Sequence, residues 1–310
     1  MSSRENEVGE ISLGDLWKGL LDGKLIILAF IFVFSAAAVA YALIAPNLYT
    51  SSAVVAPADS SGRTSLSGLA GQLGGLASLA GVNLGGKDPS KTIEAIQVMR
   101  SWDFVESFIQ EQGIAPEVFA VRGWNKETNE LDYDTGLYDP ALKKWTRIPQ
   151  EGQSEQPSSW ELYRRFEQDF LSVSLDDITG FVTVSVEYYS PKLAKAWVEA
   201  LVEKINKLFQ ERDSEVAKRN IEFLKSQIEE TPIANMQVVL YGLVEEQTKT
   251  LMLAKGATEY VFRTVSAPRE PELRSKPQRA LICIFGSMLG LALGVIIVLF
   301  RILKVNQLRV

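Results

Sequence analysis

LIILAFIFVFSAAAVAYALI, residues 25–44, runs for twenty residues without a charge. At about 1.5 Å of rise per residue, a helix of that length covers the roughly 30 Å of hydrocarbon in a bilayer. A second such run, ALICIFGSMLGLALGVIIVLF, occupies residues 280–300, with nothing more polar than Cys283 and Ser287. Both are too long and too apolar for ordinary buried helices. The first also exceeds the apolar region of a cleaved signal, about 7 to 15 residues. Although Ala40-Tyr41-Ala42 resembles a cleavage site, an uncleaved anchor fits better. The chain then divides into a tail (1–24), a transmembrane helix (25–44), a middle segment (45–279), a second transmembrane helix (280–300) and a tail (301–310). Both tails share one side of the membrane, and everything foldable lies on the other.

Charge assigns the sides. Arg4, Lys18 and Lys24 precede the first span and only Arg63 follows it closely, which favours a cytoplasmic N-terminus. Arg269, Arg274, Lys276 and Arg279, set against Arg301, Lys304 and Arg309, pull weakly the other way. Because the first helix usually dominates and long loops cross largely regardless of charge, both termini are expected in the cytoplasm. The middle domain is then periplasmic in a cell with two membranes. The lone cysteine sits inside the second span, so core burial rather than a disulfide must hold that domain. The net charge is −6 and the C-terminal tail is basic, which leaves the middle acidic and argues against nucleic-acid binding.

Within the middle segment, Tyr49–Ala56 (YTSSAVVA), closed by Pro57, reads as a strand leaving the membrane. Thr64–Gly86 is free of charge, with Leu66, Leu69, Leu73, Leu76 and Leu79 at helical spacing. Its glycines and polar residues make it a poor third span and a better small-residue helix packed on a neighbour. Thr92–Gln112 predicts one amphipathic helix with Ile93, Ile96, Val98, Phe104, Val105 and Phe108 inward. Residues 113–160 read as an irregular insertion or small β element. Phe170–Leu175 and Phe181–Tyr188 alternate apolar and polar residues about a turn at 176–180, which is a hairpin signature.

Ser190-Pro191 then supplies an N-cap and a proline at the first helical position. The helix launched there carries Leu193, Trp197, Leu201, Ile205, Leu208, Val216, Leu224 and Ile228 as an apolar stripe. Unbroken to Glu230 it would be on the order of 60 Å long, too long for a compact core. Pro232 should turn the chain into a second helix over Ile233–Lys255, making an antiparallel arm over about 191–256. Tyr260–Val265 (YVFRTV) predicts a strand returning to pair with the first. The expected fold is an α+β domain with a long extended helical arm, flanked by two transmembrane helices.

Catalytic and cofactor motifs are wanting. With no histidine, the commonest general base and the commonest metal ligand are both missing, and a single membrane cysteine cannot build a thiolate zinc site. Gly81–Asp88 (GVNLGGKD) has the glycine and lysine spacing of a phosphate-binding loop, but Asp88 replaces the magnesium-holding Ser or Thr and no buried strand precedes it. Asp132, Asp134 and Gly136 hint at a calcium loop, yet the glycine comes one place early and Lys143 stands where a bidentate glutamate belongs. No carboxylate pair stands out for glycoside hydrolysis. Neither metal nor cofactor is expected, and the chain does not read as an enzyme. Trp124, Tyr133, Tyr138, Trp145, Trp160 and Tyr163 concentrate aromatics in one stretch, where they either form the small core of a polar insertion or offer faces to sugar.

The second span carries Gly286, Gly290 and Gly294 at every fourth residue, a flat groove along which another helix can approach. Ala36 and Ala40 offer a matching small surface on the first span; whether the partner is the same protomer, a neighbour or another protein is open. Before the span, Pro268, Pro271 and Pro277 favour an extended, stiff connection, readable equally as a lever or as a plain helix stop.

This layout, with Pro268, Pro271 and Pro277 followed by Gly286, Gly290 and Gly294 as its most specific part, resembles the Wzz chain-length determinant family, the polysaccharide co-polymerases. The resemblance covers nearly the whole chain and is weakest over 113–160. It implies a homo-oligomeric ring whose α/β bases sit on the bacterial inner membrane, in contact with membrane lipid, and whose arms rise into the periplasm. It further implies a regulator of surface polysaccharide length, first of all lipopolysaccharide O-antigen, working with a Wzy-type O-antigen polymerase; whether the ring itself touches the growing polysaccharide is open. A capsule or exopolysaccharide co-polymerase is the near alternative, and a periplasmic adaptor of an export machine a remote one. Some relatives continue into a cytoplasmic tyrosine-kinase domain, which Arg301–Val310 is too short to hold.

Overall fold

Four short segments rich in β-formers are realised as one antiparallel sheet in the computed structural model, which describes residues 23–58, 89–149 and 152–307. The expected small-residue helix at 64–86, the loop at 81–88 and most of the N-terminal tail lie outside the described residues. The chain separates into two compact units, Leu48–Leu273 and a second made of the two chain ends.

In the larger unit, β1 (Tyr49–Pro57) leads to α2 (Pro89–Arg100), numbered after the first apolar helix, α1 (Lys24–Ile44). Then come α3 (Trp102–Gln112), α4 (Ala115–Ala120), β2 (Val121–Asn125), β3 (Glu130–Tyr133), β4 (Tyr138–Asp139), β5 (Lys144–Trp145) and α5 (Ser159–Arg165). A π-helical turn (Phe166–Phe170) feeds β6 (Leu171–Leu175) and β7 (Val182–Tyr188), followed by α6 (Pro191–Glu230), α7 (Ala234–Gly256) and β8 (Phe262–Ser266). The second apolar helix is α8 (Arg279–Gln307).

The sheet order is β6-β7-β1-β8. β1 pairs antiparallel with β7 from Tyr49↔Tyr188 to Val55↔Val182, and with β8 from Pro57↔Phe262 across a bulge at Val54/Val55. The returning strand therefore closes on the first one, as its apolar pattern predicts. Asp176 makes the β6–β7 turn: its carboxylate accepts from the amides of Ile178 and Thr179, and Gly180 takes the positive φ of 69° that the reversal requires.

One face of the sheet builds the core. Val182, Val184, Val186 and Tyr188, at period two, are fully buried with Trp197, Leu201, Ile205 and Phe209 of α6 and with Met99, Phe104 and Phe108 of α2 and α3. The rings of Tyr188 and Trp197 lie 4.4 Å apart, and the buried phenol donates to Glu117 O at 2.8 Å.

Two sequence expectations are corrected. The single helix over 92–112 is two, because Ser101 leaves the helical conformation and caps α3 by accepting from Phe104 N; Ile93 is exposed. In α6 the buried stripe runs through Phe209, Ala217 and Ile228, leaving Leu208 and Val216 exposed, since each stands about 100° round the helix from the next, buried residue. In keeping with the misplaced glycine, Asp132, Asp134 and Gly136 form an ordinary acidic turn: Arg122 donates to the Asp134 carboxylate, which also accepts from Gly136 N.

Candidate assembly site

The unit of chain ends consists chiefly of α1 packed along α8. Both helices are long and apolar enough to cross a membrane, and their outward residues, Leu25, Phe32, Phe285 and Phe300 among them, are exposed. Such surfaces call for apolar surroundings, so the two helices anchor the chain in a bilayer.

The glycines of α8 form the seam. A Cβ at Gly290 would lie 2.8 Å from Phe30 O and 3.0 Å from Ile31 Cα; at Gly294 it would lie 2.9 Å from Ile27 Cα; at Gly286, 2.5 Å from Ala38 Cβ. Real Cβ atoms do not approach so closely, so the backbones meet only because these positions lack one. Gly23, the residue just before α1, answers in kind, since its Cβ would lie 2.5 Å from Val298 Cγ1. Midway, the Ser35 and Ser287 hydroxyls are 2.8 Å apart, and Ser287 also donates to Cys283 O at 2.8 Å.

Ala36 and Ala40 are not in this seam. Both are exposed, and the α1 residues that receive the glycines are Ile27, Phe30, Ile31, Phe34 and Ala38. Two positions along a helix are about 200° round it, so Ala36 and Ala40 face away from the side carrying Ala38.

In the larger unit the arm is an antiparallel pair. Asn220 Nδ2 donates to Gln247 Oε1 at 3.2 Å midway, and Gln237 Nε2 donates to Ile228 O and Thr231 O at the turn. At its base α6 holds the returning chain with two amides one turn apart. Buried Asn206 accepts from Val261 N and Phe262 N at 2.8 Å each and donates to Phe262 O at 3.0 Å. Gln210 donates to Ala254 O and Ala257 O at 2.6 and 3.0 Å. Asp213, one turn higher, accepts from Lys91 at 2.7 Å and from the Tyr260 hydroxyl at 2.8 Å, while Arg212 donates to Glu94 at 2.6 Å. Burial would raise the Asp213 carboxyl, but those two donors outweigh it and hold it below the usual carboxylate range. Burial and this carboxylate together push the Tyr260 hydroxyl up.

α7 turns Leu240, Val244, Leu251 and Ala254 toward α6, yet Met236, Val238, Val239, Tyr241, Leu243, Met252 and Leu253 are exposed, Val238 to 70%. The stretch Val238–Val244 is apolar right round the helix, before Glu245, Glu246 and Lys249 meet solvent, and such a stretch is suited to an interior rather than to a solvated surface.

Of the predicted proline segment, Pro268 is buried and Pro271 half-buried in the larger unit, where Ser51 Oγ donates to Arg269 O at 2.8 Å and ties the segment to β1. Pro277 belongs with the chain ends. Sequence reasoning missed Asn206, Gln210 and Asp213. An amide standing within the apolar stripe of α6, between Ile205 and Phe209, was the available signal.

Residues 9–112 match the model of the Wzz family, described as chain length determinant protein. No curated protein matches the chain. Among solved structures, a full-length bacterial polysaccharide co-polymerase is similar at 17% identity, covering 96% of this chain and 98% of its own, with a TM-score of 0.38. A fragment of WzzB, a polysaccharide co-polymerase from Salmonella Typhimurium, is similar at 14% identity, covering 74% of this chain and 100% of its own, with a TM-score of 0.28.

Proposed function

We propose that this protein is a non-catalytic regulator of surface polysaccharide chain length, first of all of lipopolysaccharide O-antigen. In this reading both termini are cytoplasmic, the sheet and arm stand in the periplasm, and several copies form a ring beside a Wzy-type polymerase. The observation that carries it is the exposed apolar face of α7. An arm of two helices cannot bury that face alone, so copies of the chain supply the missing cover. The description of the matching family supports the same class of function.

Mechanistically, the number and tilt of protomers in the ring govern how long a growing chain stays with its polymerase. The glycine seam holds the two spans at one separation, and the segment through Pro268, Pro271 and Pro277 transmits the orientation of the sheet to the membrane.

The test is a gel of surface lipopolysaccharide from a strain lacking the gene, beside the same strain complemented. A modal cluster of bands that collapses to an unregulated ladder, and returns on complementation, supports O-antigen length control. An unchanged ladder removes that assignment and directs measurement to capsule size. If Gly290→Leu and Pro271→Ala both left the distribution unaltered, the roles given to seam and lever would be wrong.

A further inference from the structure

Among the described tryptophans, Trp124 and Trp145 are half-buried and Trp197 is buried, whereas Trp102 and Trp160 are 43% and 50% exposed. The two exposed ones come from different elements and meet. Trp102 is the first residue of α3, held there by the Ser101 cap, and Trp160 and Tyr163 share one face of α5 three residues apart. Their rings form a closed trio: Trp102 to Trp160 at 5.2 Å, Trp160 to Tyr163 at 5.5 Å and Trp102 to Tyr163 at 6.3 Å, the last pair within 21° of parallel.

The trio is held in place from below. The Tyr163 hydroxyl donates to Arg100 O at 3.2 Å, and the Arg100 guanidinium in turn donates to Val173 O of β6. Tyr163 is thus tied to the sheet through Arg100, while Trp102 and Trp160, stacked against it, stay about half exposed. Burial drives large rings of the core such as Phe108, Phe166 and Tyr188 fully inside. A pair of half-exposed tryptophans that also cover each other is an unusual outlay of apolar surface for an exterior.

We propose that Trp102, Trp160 and Tyr163 form a stacking shelf for a saccharide chain. A pyranose presents a face of C–H groups that packs on an indole and a rim of hydroxyls that needs hydrogen-bonding partners. The exposed side chains of Asp103 and Arg164, next in sequence to two of the rings, supply an acceptor and a donor for such a rim. An aliphatic protein surface would be served as well by leucine or methionine, as on α7. Flat amphipathic rings flanked by polar groups instead match the amphipathic faces of sugars. The shelf rests on the length-regulator reading above and deepens it: the ring would touch its polymer directly, at this place.

The experiment uses the full-length protein in nanodiscs and, as probe, fluorescently labelled polysaccharide released from the host's own lipopolysaccharide, with labelled dextran as control. Binding is read by fluorescence polarisation, and particle mass by light scattering. Trp102→Ala with Trp160→Ala is expected to weaken binding at least tenfold at unchanged mass, and the corresponding Phe pair to retain most of it. Protection of Trp102 and Trp160 from oxidative labelling by the probe, read on the wild-type protein, keeps the test decisive should the Ala pair fail to fold. Unchanged binding by a folded Ala pair, or no protection, overturns the shelf. A fall in particle mass overturns it too, marking the rings as a contact between copies. If wild-type protein ignores the probe while deletion of the gene still shifts polysaccharide length, the shelf falls and length regulation stands. If deletion shifts nothing although the shelf binds, the regulator reading falls and saccharide binding remains.

Discussion

Gly290 of α8 stands against Phe30 of α1 with no room for a side chain between them: a Cβ on the glycine would lie 2.8 Å from the Phe30 carbonyl oxygen. The obstruction is backbone, which cannot rotate aside as a side chain can. Gly290→Leu should therefore push the helices apart, at a cost of about 1 to 3 kcal/mol or more. The separation can be read chemically, because the Ser35 and Ser287 hydroxyls are 2.8 Å apart. With Cys283→Ser, cysteines introduced by Ser35→Cys and Ser287→Cys should oxidise readily to an intrachain disulfide, and adding Gly290→Leu should cut the yield several-fold. An undiminished yield would falsify the seam.

The opposite result is expected at Gly242, in the middle of α7, where a Cβ would meet nothing within 4 Å. Gly242→Ala removes the conformational freedom of glycine from a helix interior and should stabilise the arm by roughly 0.8 to 1 kcal/mol. Circular dichroism melting and amide exchange across residues 234–256 provide the measurement; a lowered melting point would mean that a neighbour covers Gly242 in the assembly.

Asn206 stands in for a missing strand partner by making three hydrogen bonds with Val261 and Phe262 where β8 begins. Asn206→Leu keeps the volume but leaves two amides and a carbonyl buried without partners, at about 1 to 3 kcal/mol each before relaxation. Amide exchange at Val261 and Phe262 should accelerate by two or more orders of magnitude while exchange at Val184 stays close to wild type. Equal acceleration at both would show that Asn206 supports the whole domain rather than the root of the arm.

Arg147 is buried and grips Glu161 through two hydrogen bonds, 2.8 and 3.1 Å, while also donating to Ser154 O. Chiefly through the guanidinium, and further through the Ser158 cap, the Glu161 carboxyl is lowered to about 2. A carboxyl depressed on folding contributes stability that is complete above its unfolded value of about 4.3 and is lost as pH falls through the folded one. The loop from Arg147 to Ser158 should hence loosen between about pH 4 and pH 2, and Glu161→Gln should remove most of that dependence. Exchange rates at Leu162 measured across this range check it; an acid response preserved in the variant would move the cause elsewhere.

The arm was readable because its punctuation is local. Ser190 and Pro191 start α6, nothing within forty residues breaks it, and Pro232 sits in the turn before α7. The hairpin at 176–180 was equally plain, for Asp176 and Gly180 are turn residues between two alternating runs. What failed was rotation and continuity. Ser101 reads as one polar residue in an amphipathic run until its hydroxyl is seen to accept from Phe104 N. Ala36 and Ala40 looked suitable because any small residue can face a glycine groove, yet it is Ala38 that meets Gly286.

By itself the sequence determined the two apolar helices, the strand pattern, the length of the arm and the stripe of glycines, all of which depend on charge, periodicity and capping within a few turns of chain. Only the tertiary structure decided that Gly290 meets Phe30, that Asn206 reaches Val261 and Phe262, and that Trp102 joins Trp160 and Tyr163. The physical reason is that helical periodicity specifies which residues share a face but leaves free the rotation of that face and the distant segment that covers it; packing of the whole chain settles both.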